Sequence, residues 1–172
     1  AHNALPYVVT DLARCGTVYD WIDRNGPLGP RRAVALARKC GEAVAHLHQN
    51  GRVHGDLGPH RLLIKQSGIV VVADPGVALD AHPAFASPER RAGEPLDARA
   101  DVFSLGATLL TMVTAELDED LASIALRDPR LARVPESLRP VIVRACGREP
   151  AERYTSMIEL VRALEQAAAP LP

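Results

Sequence analysis

Val102-Phe103-Ser104-Leu105-Gly106-Ala107-Thr108-Leu109-Leu110-Thr111-Met112-Val113 carries apolar side chains pointing in nearly every direction around a helix. A helix that is apolar all round has to be buried on all sides. At about 12 residues this stretch falls well short of a membrane span, which needs about 20. It is therefore expected to be the central helix of a helical domain, and the rest of the chain can be read by how it would surround it.

C-terminal to that helix, residues 116–134 give no clear period, and the acidic run Glu116, Asp118, Glu119, Asp120 reads as a solvated face. Ser137 to Cys146 is amphipathic through Leu138, Val141, Ile142 and Ala145, with Gly147 as the stop. A last helix opens at Ser156, and Glu159 stands three residues on, the spacing of a capping box. The Ala/Pro-rich residues 167–172 read as a tail or the start of a linker.

N-terminal to it, residues 74–97 contain Pro75, Pro83, Pro88 and Pro95, which predict irregular structure because each lacks an N–H and fixes φ. Before them, Leu62–Lys65 and Ile69–Val72 read as two short strands joined by Gln66-Ser67-Gly68, a hairpin. Residues 30–49 recur at helical spacing and stop before Gly51, residues 17–25 predict a short helix, and residues 6–12 a short strand rich in β-branched side chains.

The totals narrow the function classes. In 172 residues, 20 basic side chains nearly balance 21 acidic ones, which disfavours a nucleic-acid binder, and 3% aromatic residues leave little for base stacking. No apolar run is long enough for a membrane helix. Cys15, Cys40 and Cys146 are widely spaced with no C-x-x-C pair, so reduced thiols in a cytoplasmic protein are expected rather than a zinc site or disulfides. His46, His48 and His54 lack a Cys/His cluster and read as packing or hydrogen-bonding residues.

A set of short motifs lies between these elements in a telling order. His54-Gly55-Asp56-Leu57 follows a helix and precedes the hairpin; Asp74-Pro75-Gly76 closes its second strand. Ser87-Pro88-Glu89 follows, then Asp101 opens the buried helix, and Arg153 precedes the last one. This order resembles the protein-kinase signature set: the catalytic-loop H-R-D, the metal-binding D-F-G, the A-P-E, the Asp of the central helix and a late structural Arg. From Leu5 to about residue 167 the chain resembles the C-terminal lobe of a bacterial Ser/Thr protein kinase, and Glu149-Pro150-Ala151-Glu152-Arg153-Tyr154 is especially like bacterial members.

The resemblance implies a mainly α fold, a helical lobe around a central buried helix with a small hairpin beside the catalytic loop. It divides the chain into the end of a hinge strand (1–12), the lobe (13–167) and the tail (168–172). It implies Asp56 as the base near the acceptor hydroxyl, Asp74 as the carboxylate holding Mg²⁺ of Mg·ATP, and Leu63 as the apolar floor under adenine. It gives structural parts to His54, to Asp101, which would receive backbone N–H groups of the catalytic loop, and to Glu89 with Arg153, a buried ion pair. The alternative for Asp56 and Asp74 is that they are loop carboxylates kept for hydrogen bonding alone.

Four departures bear on activity. Gly58 stands where the family has a Lys that neutralises phosphate charge, and Arg61 where it has an Asn that holds a second Mg²⁺. A guanidinium cannot ligate a cation, although it can bind phosphate. Pro75 replaces the Phe of D-F-G, and Gly55 the Arg of H-R-D. Only twelve residues separate Gly76 from Glu89, which suggests no phosphorylation switch. The Gly-rich loop, the strand Lys and the helix Glu of the ATP-covering lobe do not precede Leu5.

The expectation is therefore an impaired phosphotransferase that serves as a regulatory or interaction module and does not bind Mg·ATP. The competing expectation is the C-terminal half of an active kinase whose other lobe is supplied upstream. A partner, the other lobe or a second copy is expected over residues 6–12 and the top of the lobe near Leu63, because unpaired strand edges and apolar patches invite one.

Overall fold

A computed structural model describes residues 14–76, 82–116, 128–169 and 171. The expected strand at 6–12, Leu5 and the acidic positions 118–120 lie outside the described residues.

The fold is mainly α, built around one buried helix with a small two-stranded hairpin at one side. That helix, α4 (Ala98–Thr114), is buried at every position from Ala100 to Thr114. It begins four residues before the apolar run, because Asp97 accepts from the Arg99 N–H at 2.8 Å and caps its start. Its polar members are satisfied within the helix or by neighbours: Thr108 Oγ1 donates to Ser104 O at 2.7 Å, and Ser104 Oγ to Phe85 O at 2.7 Å. It ends at Ala115, whose φ of 59° returns its N–H to Thr111 O.

Three helices pack on α4: α2 (Pro30–Gln49), α5 (Arg139–Ala145) and α6 (Met157–Ala168). Small residues set the approach. A Cβ on Gly41 of α2 would stand 2.6 Å from Val161 Cγ2 on α6 and 3.3 Å from Leu105 Cδ2 on α4, and one on Gly106 would stand 2.7 Å from Ala145 Cβ on α5. Phe103, Leu105, Leu109, Met112, Leu138, Ile142 and Leu164 are all buried at this junction.

Helix α1 (Val18–Asn25) starts in a capping box, with Thr17 Oγ1 accepting from Asp20 N–H at 3.0 Å and Asp20 Oδ2 from Thr17 N–H at 2.8 Å. Strands β1 (Leu62–Ile64) and β2 (Val70–Val72) pair antiparallel in the register Leu62↔Val72, Leu63↔Val71, Ile64↔Val70. The chain entering α1 runs along the other edge of β1, with Ile64 N–H donating to Gly16 O at 2.9 Å and Cys15 N–H to Ile64 O at 3.3 Å.

Two expectations are corrected. Residues 74–97 are not wholly irregular: a 3₁₀ turn covers Pro83–Phe85 and a short helix, α3, covers Pro88–Arg91. In each the proline is the first helical residue, where its missing N–H would have had no partner, and His82 or Ser87 caps the start. At α6, Ser156 Oγ accepts from Glu159 N–H at 3.2 Å, but Glu159 reaches back to Thr155 N–H at 2.8 Å instead of closing a box on Ser156.

Cys15 is exposed, while Cys40 and Cys146 are buried and burial pushes both thiols up to about 12. No described helix is long and apolar enough to cross a membrane.

Candidate functional site

The loop from Asn50 to Arg61 joins α2 to β1, and the first turn of α4 holds it in place. Asp101, fully buried, accepts from His54 N–H at 2.8 Å through Oδ2 and from Gly55 N–H at 2.9 Å through Oδ1. His48 Nε2, on the last turn of α2, stands 2.7 Å from Oδ2 of the same carboxylate. Three groups therefore converge on Asp101, which ties α2, the loop and α4 together. Gly55 sits at φ 77°, a conformation that a side chain would strain.

His54 is the second anchor. It is fully buried, its Nδ1 accepts from Asp56 N–H at 3.3 Å, and its Nε2 lies 3.0 Å from Ala73 O. A ring with one nitrogen accepting and the other facing a carbonyl is the neutral tautomer protonated on Nε2. Burial pushes its pKa below the ordinary histidine value, with Asp101 and the Ala73 carbonyl opposing. Gly76 N–H donates to His54 O at 3.0 Å, so the two ends of the site, 54–56 and 74–76, are clamped to each other.

Asp56, buried, projects from this loop and meets the side chains of Arg61 and His60. Arg61 donates to Asp56 Oδ2 from Nε at 2.8 Å and from Nη2 at 2.5 Å. The same guanidinium donates from Nη1 to Asp74 Oδ2 at 2.9 Å, so Arg61 bridges both carboxylates. On the other oxygen of Asp56, His60 Nε2 lies 3.4 Å from Oδ1, in range for charge attraction but not aligned as a hydrogen bond. Burial raises the Asp56 carboxyl, but His60 and Arg61 outweigh it and hold it below the ordinary carboxylate range. Asp74 is half-exposed and sits at φ 55°.

Gly58 explains how His60 reaches this position. A Cβ there would stand 2.5 Å from His60 Cε1 and 3.0 Å from Phe85 Cδ2. The His60 ring fills that space, 5.6 Å from the ring of His82 and 5.8 Å from that of Phe85. His60 was not singled out from sequence; a second basic side chain four residues after Asp56 is the signal that could have found it.

The remaining positions lie apart from this cluster. Leu63 is half-buried in the middle of β1, opposite Val71 and bridged through its backbone to Thr17. Pro75 accepts from Arg52 Nη2 at 3.4 Å through its carbonyl. Glu89 and Arg153 form a buried bidentate pair, Nη1 to Oε1 at 2.7 Å and Nη2 to Oε2 at 2.8 Å. Arg153 also donates to the carbonyls of Gly147, Arg99 and Arg148 at 2.8, 2.9 and 3.0 Å, which engages all five of its N–H groups. Burial raises the Glu89 carboxyl, and the bonds from Arg153 more than reverse that.

The donor set does not fit a divalent cation. Mg²⁺ takes carboxylate oxygens in near-octahedral geometry, whereas here a fixed positive charge lies between the two carboxylates that could supply them. Among the described residues no group of three His, Cys, Asp or Glu side chains is placed to hold a metal ion.

Comparison with known proteins supplies the frame for this geometry. Residues 2–161 match the family described as the protein kinase domain. The chain is 29% identical over 186 residues to the serine/threonine-protein kinase PknB of Mycolicibacterium smegmatis, covering 92% of this chain and 30% of that protein. It is 30% identical over 175 residues to the serine/threonine-protein kinase PrkC of Bacillus subtilis, covering 86% of this chain and 27% of that one. Among solved structures it resembles the kinase domain of Mycobacterium tuberculosis PknI, with a TM-score of 0.74 and 26% identity over 88% of this chain and 62% of that domain. The chain thus spans less than a third of the length of these curated relatives and about three-fifths of the solved kinase domain.

Proposed function

The chain belongs to the protein kinase domain family, and we propose that it is the helical, C-terminal lobe of that domain, impaired in phosphoryl transfer and acting as a regulatory or interaction module. The observation that carries this reading is the ion pair of Arg61 with both Asp56 and Asp74. In this reading Asp56 occupies the position of the family's base and Asp74 that of its metal carboxylate. Leu63 takes the position under adenine, while His54, Asp101, Glu89 and Arg153 are structural.

Phosphoryl transfer is almost wholly positioning and electrostatic stabilisation, and the family uses Mg·ATP for it. Arg61 answers the negative charge of the two carboxylates internally and excludes a cation from between them by repulsion. Gly58 brings no cation for the phosphate, and the space it leaves is taken by His60. One oxygen of Asp56 is held by the Arg61 guanidinium and the other faces the His60 ring, so its lone pairs are not presented to an acceptor hydroxyl. Such a lobe keeps the framework of the family and uses its surface, with a protein partner as the expected ligand and the cytoplasm as the location that its three free cysteines support.

A second reading is favoured by the retained carboxylates and by the intact clamp of His54 and Asp101 on the loop. In that reading, upstream sequence supplies the ATP-covering lobe and the whole is an active Ser/Thr kinase. Thermal unfolding with and without Mg·ATP, on this chain and on the natural protein with whatever precedes it, separates the two. A ligand at 100 times its Kd stabilises by about 2.7 kcal/mol, roughly 5–10 °C for a chain of this size. No shift in either protein is the expected result. A shift that disappears in Asp74→Ala would overturn the proposal.

A further inference from the structure

One face of α2 is built differently from the face that packs on α4. Leu36, Cys40, Ala43 and Leu47 step by four, three and four residues, the spacing of a heptad seam, with Cys40 buried at its floor, and Arg32, Lys39 and His46 run beside them at seven-residue intervals. Two grooves of about 420 and 510 Å³ lie along this seam and share Leu36, Lys39 and Val70, so they form one trough. Its opposite wall is the hairpin: Leu62 and Val72 at one end, Ile64 and the exposed Ile69 at the other.

The charge along this trough has one sign. Among the described residues that line it, Arg32, Lys39 and Arg52 are cationic, His46 adds an exposed basic ring, and none is acidic, although the chain as a whole carries a net charge of −1. Arg32 rests on the Trp21 ring at 5.3 Å. Lys39 and His46 are exposed, and neither has an ion-pair partner among the described residues.

We propose that this trough docks an amphipathic helix of a partner protein, with apolar side chains at heptad spacing in the trough and acidic side chains against Arg32, Lys39 and His46. The heptad register argues for a helix. From Arg32 to His46 the seam rises roughly 21 Å, and a helix lying along α2 at a shallow angle would bring its apolar and acidic residues past it at the same interval. An extended segment advances at about twice that rise per residue and alternates sides, so it would not keep this register. Basic g-type positions flanking an apolar seam select acidic counterparts. The inference gives a surface to the module read above, but it does not need the catalytic site to be silent. A Mg·ATP-dependent shift would overturn that reading and leave this one standing.

The test uses the full chain and a synthetic 21-residue peptide of three heptads with Leu at the a and d positions and Glu at e and g, against the same peptide with Lys at e and g. The Glu peptide is expected to bind and to perturb the backbone amide resonances of residues 32–47 and 62–72. The Lys peptide is expected to bind about tenfold more weakly or worse. In Arg32→Glu/Lys39→Glu/His46→Glu, whose fold circular dichroism checks, the preference should reverse. The proposal is overturned if the Glu peptide fails to bind at about 1 mM, or if the triple variant leaves its affinity unchanged. It also falls if the free chain is a dimer that the triple variant dissociates, which makes a second copy the occupant. Contacts from residues 4–9 of the same chain to the trough without peptide would overturn it as well.

Discussion

Gly58 and His60 share one space: a Cβ on Gly58 would lie 2.5 Å from Cε1 and 2.6 Å from Nδ1 of the His60 ring. The backbone at Gly58 is extended, with φ −177°, so no conformational strain opposes a side chain there; the obstacle is the ring. Gly58→Ala is therefore expected to destabilise the chain by about 1–3 kcal/mol through overpacking. Gly58→Ala/His60→Ala should recover much of that loss, a coupling of about 0.5–3 kcal/mol. Urea unfolding of the two single variants and the double variant measures it. Equal losses in Gly58→Ala with and without His60 would show that the ring does not fill this space.

Arg61 makes a different kind of prediction, because it joins charges rather than fills volume. Arg61→Asn leaves Asp56, buried, without its guanidinium, at a cost of roughly 1–3 kcal/mol. It also removes the positive charge between the two carboxylates. Mg²⁺ at millimolar concentration should then raise the melting temperature of Arg61→Asn and leave the unsubstituted chain unchanged. A Mg²⁺-dependent shift of equal size in both would show that Arg61 does not block a cation.

The same residues show what a sequence can and cannot disclose. The buried helix was legible because Val102 to Val113 offers no polar face, and tertiary burial is the one environment that tolerates that pattern. Its first turn was not legible, since Asp97 declares itself as a cap only when its side chain turns onto the Arg99 amide. In sequence the prolines at 83 and 88 signal breaks in regular structure, but the same missing N–H suits them to a first helical position. At the site, Asp56, Arg61 and Asp74 could each be picked out as loop residues of unusual type. That one guanidinium spans both carboxylates depends on how the hairpin returns residue 74 beside residue 61, with Ala73 N–H donating to Arg61 O at 2.9 Å. His60 was illegible for a stronger reason: its position is decided by an absent side chain at residue 58 and by Phe85, which lies far along the chain from it.

Arg153 holds three segments at once: Glu89, the carbonyl of Arg99, and the adjacent carbonyls of Gly147 and Arg148. Arg153→Met removes the charge and keeps much of the volume, yet leaves the Glu89 carboxylate buried without its cationic partner. It is expected to cost about 3–5 kcal/mol, a large part of the roughly 5–15 kcal/mol typical of a whole domain. Glu89→Gln/Arg153→Met removes both charges and should be less damaging than Arg153→Met alone. Denaturant midpoints order the three proteins; a double variant no more stable than the single would place the loss in packing against Phe103 rather than in the unpaired carboxylate.

Acid stability should fall in two stages, set by groups whose folded pKa values are both depressed but whose ordinary values differ. His54 is held below its usual value chiefly by burial. Below about pH 6.5 the unfolded chain binds a proton that the folded chain does not. Stability from His54 is thus fully present above that pH and declines as pH falls towards the folded value. Asp56 and Glu89 are held below their ordinary range by Arg61 and His60 and by Arg153, against the opposing effect of burial. Their contribution is fully present above about pH 4–5 and is lost as pH falls through their folded values. Urea midpoints from about pH 8 to 3 should therefore show a first decline beginning near pH 6.5, absent in His54→Gln, and a steeper one below about pH 4.5, reduced in Glu89→Gln. A profile of the unsubstituted chain that is flat from about pH 8 to 5 would mean that His54 takes up a proton without leaving its place between Asp56 N–H and Ala73 O.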